Sequence, residues 1–437
     1  MLKARSTTEL GPIGRALRNA GWLLGGKGVG GLFSLVYLAL AARSLGVAAF
    51  GVFALILTYG QAAANIVQFQ SWQTFVRYGA AHLAGDRPHA LRRLVAFTVL
   101  LDLGAASVGA LIAAAGTWVA APLFGWSGEE QHLAALFSLS LVFGLRGTPT
   151  GVLRLYDRFD LAAYSETVLP AMRLVGAGIA FATGPTIGGF LLAWAVAELV
   201  TTVAMWTTAA RELGRHDIRQ LHRSRPAGVV AENPGLWRFA WSTNLTASIN
   251  LVWQQLPTLA VGWIAGPATA GGYRIAVQLT SALNKPALSL TRSIYPEFAK
   301  LAVDGGPAAL TPMMRRAARL SAVVGLGVVL LIAIAGEFAL TLVGGGNYGF
   351  AYPFLVLLSI AAAIDLSGFS LEPALVAIGR PGRILFVRAI AGAIYAALLV
   401  GLVVRFGAIG APVAAICASM LVLTLMLIQW RRAAHGR

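Results

Sequence analysis

The stretch GYRIAVQLTSALNKPALSLTRSIYP, Gly272 to Pro296, reads as one helix long enough to cross a bilayer. It nevertheless carries three cations, Arg274, Lys285 and Arg292. Lys285 and Arg292 lie 11 and 18 residues after Arg274. At about 100° per residue these steps return to within about 20° of the starting direction. Gln278 and Ser281 fall on the same side; Ile275, Leu279, Ala282 and Leu290 face the other way. One face is therefore basic for roughly 27 Å at 1.5 Å per residue. Cations in hydrocarbon are costly and normally face a bundle interior or a wet cavity. Arg274 and Arg292, near the ends, are also placed to snorkel, whereas Lys285 is not. Pro286 is positioned to kink the helix. A cationic wall at membrane depth points to an anionic cargo.

The rest of the chain fits a membrane setting. Of its 437 residues, 57% are hydrophobic and 12% charged, with mean hydropathy +0.73. Apolar runs longer than 18 residues make it an all-α polytopic membrane protein. Twelve spans are expected, near 20–42, 50–72, 93–121, 132–153, 161–183, 188–209, 239–265, 272–294, 317–341, 353–378, 384–404 and 409–430. With the N-terminus inside, the cytoplasmic segments hold 26 of the 34 lysines and arginines, and the outer loops only Arg43 and Arg405. That asymmetry places both termini in the cytoplasm. It also explains the net charge of +17 without nucleic acid. A lone cysteine, Cys417, excludes an internal disulfide and a cysteine metal site. No Walker motif, paired Cys/His spacing or G-x-S-x-G occurs. No enzymatic constellation or cofactor is expected.

The basic loop 210–238 separates an N-lobe (20–209) from a C-lobe (239–430), with a short segment 1–19 before and a tail 431–437 after. The lobes share landmarks. Gly46 to Phe53 and Gly266 to Tyr273 are both Gly-x4-Gly-x-aromatic, 220 residues apart. Arg92-Arg93 and Arg315-Arg316 precede corresponding spans, and Pro149 and Pro373 each precede a basic turn. Six spans per half make this a parallel repeat about an axis along the membrane normal, with a central cavity between lobes.

The segments Arg43-Ser44-Leu45-Gly46 through Phe50-Gly51, Pro296 to Leu301, and Gly379-Arg380-Pro381-Gly382 resemble the multidrug/oligosaccharidyl-lipid/polysaccharide (MOP) exporter superfamily, specifically its O-antigen-type polysaccharide transporters. The resemblance covers nearly the whole chain. It implies a flippase for undecaprenyl-pyrophosphate-linked oligosaccharide, working by alternating access in the bacterial inner membrane. The lipid II flippases of the superfamily typically have two more spans. The drug-exporting branch shares the twelve-span plan, so a cation-coupled multidrug exporter is the alternative. A membrane glycosyltransferase is disfavoured by the short outer loops.

For pyrophosphate the order of candidates is Lys285, Arg274, Lys27 and Arg292, since a polyanion needs compact cations or guanidinium forks. Lys27 sits among five glycines in span 1. Arg146 and Arg173 rank below them, with Arg173 expected to pair with Glu166, seven residues earlier. Gln61, Asn65 and Gln68 on span 2, Asn244, Ser248 and Gln255 on span 7, and Gln278 on span 8 form polar faces suited to sugar hydroxyls, beside Trp72, Trp241 and Trp253. Interhelical hydrogen bonding is the competing use of such amides. Asp365, then Asp102 and Glu198, are candidates for coupling to Na+ or H+. The expected partners are the lipid-linked oligosaccharide, membrane lipids and polysaccharide polymerase machinery, with the chain acting as a monomer.

Overall fold

The computed structural model describes residues 12–67, 69–216, 218 and 226–434; the side chains of 12–27, 29, 67, 163, 165, 166, 246–252, 283–309 and 381 are outside the description. The side chains of Lys27, Ser248, Lys285 and Arg292, and the whole of Gln68, lie outside these described residues. Every regular element described is helical, as hydrocarbon demands of a chain with open ends. The helices are α1 (Pro12–Val67), α2 (Ser71–Ala84), α3 (Pro88–Phe124), α4 (Gly128–Ser140), α5 (Gly147–Leu155), α6 (Phe159–Thr183) and α7 (Ile187–Arg215), then α8 (Val229–Glu232), α9 (Leu236–Gln254), α10 (Leu256–Ala265), α11 (Pro267–Gly344), α12 (Tyr352–Ser367), α13 (Leu371–Ala377), α14 (Pro381–Phe406) and α15 (Gly410–Ala434).

Seven helical stretches among the described residues are long and apolar enough to cross a membrane. Two of them, Gly30–Ala84 and Gly382–Ala433, run 55 and 52 residues, more than twice the roughly 20 that one crossing needs. Helix α1 breaks at Gly46, where φ is 77°, a conformation open to glycine at little cost. Helix α11 has 78 residues and would reach about 117 Å if straight. Its ends nevertheless meet. A Cβ on Gly272 would come within 2.6 Å of the Phe350 ring, and one on Gly344 would touch Tyr348, which stacks on Phe350. The chain therefore turns back inside α11 and leaves two antiparallel limbs.

The repeat is visible in the backbone. Gly46 (φ 77°, ψ 173°) and Gly266 (φ 84°, ψ 166°) share one conformation. The positive-φ residues Gly125, Asp157 and Gly184 recur as Gly345, Gly379 and Gly407. These four pairs are offset by 220, 220, 222 and 223 residues. The register drifts by only three positions over more than a hundred residues, as a duplicated unit with two small insertions would.

The ends are called outer and inner after the charge distribution. At the outer end the two halves share one apolar core, with Phe50, Phe53 and Leu55 from the first half packed with Ala270, Tyr273 and Tyr348 from the second. At the inner end the core divides. One cluster joins Phe75, Leu91 and Leu94 to Val229 and Leu236 at the entry to the second half. The other holds Leu310, Met314 and Leu375. The halves thus meet outside and diverge inside.

The outer contact is made by backbone. A Cβ on Gly51 would collide with the carbonyl of Pro267, and one on Gly271 would lie 3.0 Å from Gly51 Cα. Beside it, Arg43 Nη2 donates to the carbonyls of Thr341 (3.1 Å) and Leu342 (2.6 Å) at the end of α11. A cation there satisfies orphan carbonyls and opposes the negative end of the helix dipole. Hydrogen bonds to charged groups contribute about 1.5–3 kcal/mol, so Arg43→Ala is expected to raise the modification rate of a cysteine at Val47 about tenfold with a membrane-impermeant maleimide. The assay needs a Cys417→Ser background. An unchanged rate would show that Arg43 does not hold the outer end shut.

Candidate functional site

Where the halves diverge they enclose a cavity of about 700 Å³, within the size range of ligand sites. The first half contributes Tyr37 and Gln61 from α1, Arg173 from α6 and Trp194 from α7. The second contributes Trp253 to Gln255 at the α9–α10 junction, Arg274 and Gln278 from α11, Asp365 from α12 and Tyr395 from α14. The junction is a true break, because Pro257 has no N–H to continue the α9 ladder. It lets successive residues Trp253, Gln254 and Gln255 all border the space.

Two cations face each other across it. Arg173 donates to Glu198 Oε1 at 2.6 Å and lies 3.5 Å above the Trp194 ring. Arg274 has no carboxylate within ion-pair distance among the described residues, and it repels Arg173. A charged arginine costs about 3 kcal/mol at the centre of a membrane helix on insertion scales, and less toward the ends, where Arg274 lies. Asp365, the one carboxylate among the described lining residues, borders the cavity together with Ser419.

The walls are aromatic as well as charged. Trp253 stacks on Tyr395 at 4.8 Å and 9°, and Tyr37 meets Trp194 edge to face at 5.3 Å. Gln255 Nε2 donates to Gln61 Oε1 across the halves at 3.4 Å. Such a chamber offers guanidiniums to anionic oxygens, ring faces to sugar faces and amides to hydroxyls.

A second space of about 130 Å³ opens beside Gln61, bordered by Asn65, Arg146 and Glu198. Here Arg146 Nη2 is 2.8 Å from Glu198 Oε2, so Glu198 is shared by Arg146 and Arg173. The Glu166 side chain, expected to pair with Arg173, lies outside the described residues; the carboxylate that meets Arg173 among the described ones comes from the neighbouring helix α7.

Of the residues anticipated for binding, the cavities gather Arg274, Gln61, Asn65, Gln255 and Gln278. Asn244 is buried on α9 and is absent from both linings. Trp72 and Trp241 stand elsewhere, under Arg154 and against Phe69. Asp102 Oδ2 accepts from Thr148 N–H (2.8 Å) and Oγ1–H (2.7 Å), which anchors the start of α5. Tyr37, Trp194, Gln254 and Tyr395 were not anticipated. A lone tyrosine in an apolar span carries no sign of the direction it faces. The 222-residue offset, however, pairs Arg173 with Tyr395.

A model of polysaccharide biosynthesis proteins matches residues 16–302. The inner membrane protein YghQ of Escherichia coli strain K12 is 31% identical over 341 residues, covering 78% of this chain and 95% of that protein. Among solved structures, a multidrug resistance MATE family transporter of the MOP superfamily, in an inward-facing conformation, superposes with TM-score 0.76 at 13% identity, over 92% of this chain and 95% of that one. The lipid II flippase MurJ, in an inward closed conformation, gives TM-score 0.71 at 12% identity, over 94% and 89%. At these identities the superpositions speak for a common fold.

Because Glu198 is the carboxylate shared by two partly buried guanidiniums, Glu198→Ala is expected to destabilise the folded chain by about 3 kcal/mol. Thermal unfolding in detergent should fall by several degrees. Glu372→Ala, at the more open pair with Arg388, should change it little. Equal effects would remove the shared carboxylate from the framework of the site.

Proposed function

Because the chain belongs to the polysaccharide biosynthesis protein family, we propose that it carries undecaprenyl-pyrophosphate-linked oligosaccharide across the bacterial inner membrane, from the cytoplasmic to the periplasmic leaflet. The observation behind this reading is Arg274, a membrane-depth cation that borders the inter-lobe cavity without a carboxylate among the described residues. With Arg173 opposite, it offers the pyrophosphate a guanidinium from each lobe. Lys285 and Arg292 extend the same sequence stripe and Lys27 adds to it from span 1; these residues would meet the head group as it enters. The glycan would lie against Trp253 and Tyr395, with Gln61, Gln255 and Gln278 taking hydroxyls.

In this reading the twelve spans work by alternating access. The outer seal opens as the inner ends close, and the cargo leaves toward the polymerase machinery. Coupling to Na+ or H+ would use Asp365, which alone among the described carboxylates borders the larger cavity; Asp102 and Glu198 are already engaged with other groups. The same residue supports the alternative, a cation-coupled drug exporter, in which Asp365 would hold a cationic compound.

Arg274→Ala and Lys285→Ala are each expected to lower surface polysaccharide at least tenfold at equal protein abundance, while Arg274→Lys keeps part of it. Undiminished polymer in Arg274→Ala would refute the head-group reading. Drug resistance lost specifically in Asp365→Asn would favour the exporter.

A further inference from the structure

The smaller cavity sits where a membrane-spanning segment is deliberately interrupted. Helix α4 ends at Ser140, a 3-10 turn covers Leu141–Gly144, and α5 restarts at Gly147. Irregular backbone at membrane depth persists only where it is buried in protein or borders a wet cavity. Each part of this break is held. Trp206 Nε1 donates to the freed carbonyl of Leu145 at 2.9 Å, and Asp102 fixes Thr148 at the start of α5. The residue left between them is Arg146.

Among the described residues, Arg146 and Arg173 share one carboxylate, Glu198, so two guanidiniums meet a single counter-charge. The Arg146 side chain is about one third exposed, at 32%, and it borders the space together with Asn65, Gln61 and its own partner Glu198. Gln61 also borders the larger cavity, so the smaller one is its side pocket. At about 130 Å³ it holds the volume of roughly four waters at ~30 Å³ each. That admits one edge of a sugar, not a pyrophosphate with its flanking groups.

The other lobe is built on the same plan with different content. The corresponding break between α12 and α13 carries Gly368, Phe369 and Ser370. A Cβ on Gly368 would lie 2.9 Å from the end of the Leu423 side chain, so a long side chain there would have to displace that leucine. Asp365, on α12 just before that break, borders the larger cavity together with Ser419 of α15. Among the described residues, the N-lobe break itself carries a guanidinium and the C-lobe break, residues 368–370, carries none.

The geometry points to a second recognition site on the cargo: the side pocket at the α4–α5 break receives a carboxylate carried by a sugar of the glycan, as on a uronic acid. Arg146 holds it bidentately, with the Asn65 and Gln61 amides on neighbouring hydroxyls. This makes Arg146 a residue that selects acidic repeats, apart from the pyrophosphate contact. It rests on the reading of the cargo as a lipid-linked glycan.

The test uses the full chain in liposomes with two synthetic cargoes, polyprenyl diphosphates bearing a neutral glucose disaccharide or the same disaccharide with one glucuronate. Wild type is expected to move both. Arg146→Gln should slow the glucuronate lipid at least tenfold and the neutral one less than twofold, with Arg146→Lys recovering part of the loss. Glu198 keeps Arg173 as its partner in both variants, and transport of the neutral lipid reports correct folding. Equal slowing of both cargoes would assign Arg146 to the pyrophosphate or to structure, and overturn the inference. So would no slowing of either. Wild type moving neither lipid would overturn the function proposed above.

Discussion

Two glycines, one from each half, set the form of this molecule. Gly51 and Gly271 bring α1 and α11 together so closely that neither can carry a side chain. Small residues at helix crossings let backbones approach within a membrane, where packing rather than the hydrophobic effect drives association. Everything near this contact is tight: Leu55 fills the space over Gly262, Tyr348 Oη donates to Ala42 O at 3.4 Å, and Phe50 meets the Tyr348 ring edge to face. Anchored there and diverging below, the helices have to leave a space between them. The cavity follows from the seal.

What fills that space is decided by electrostatics. The arginine on each side would favour separation of the lobes, and an anion between them would favour approach. A polyanionic head group is therefore suited both to binding and to shifting the balance between open and closed inner ends, since a ligand moves a conformational equilibrium only through unequal contacts with its states. The neighbouring carboxylates are distributed so as not to cancel this. Glu198 is divided between two arginines, and Glu372 lies with Arg388.

Much of this was legible in residue order. The Gly-x4-Gly-x-aromatic pair reports the duplication because positive φ and close backbone approach both require glycine, and a sequence records such requirements directly. Arg274 was legible because a cation in an apolar run is conspicuous. The interruptions at 141–146 and 254–256 were not. Membrane helices tolerate proline and glycine, so Pro149 and Pro257 announce no break by themselves. Nor could periodicity say that Arg173 would find Glu198, since that contact depends on the neighbouring helix. The aromatic walls were hidden for the same reason: Tyr37 and Tyr395 acquire meaning only when four helices converge.

The central claim, that the glycine-sealed outer end and the diverging inner end exchange states around an anionic cargo, is open to one direct measurement. Spin labels at Ala48 and Asn347 report the outer distance, and labels at Asp86 and Arg316 the inner one; Ala48, Asn347, Asp86 and Arg316 are all exposed. With Cys417 replaced by serine, electron–electron distances in lipid nanodiscs should show a short outer and a long inner separation without cargo. A polyprenyl diphosphate oligosaccharide should shorten the inner distance and bring in a population with a longer outer one. Distances at both ends that stay fixed as the cargo is added to saturation would contradict the account.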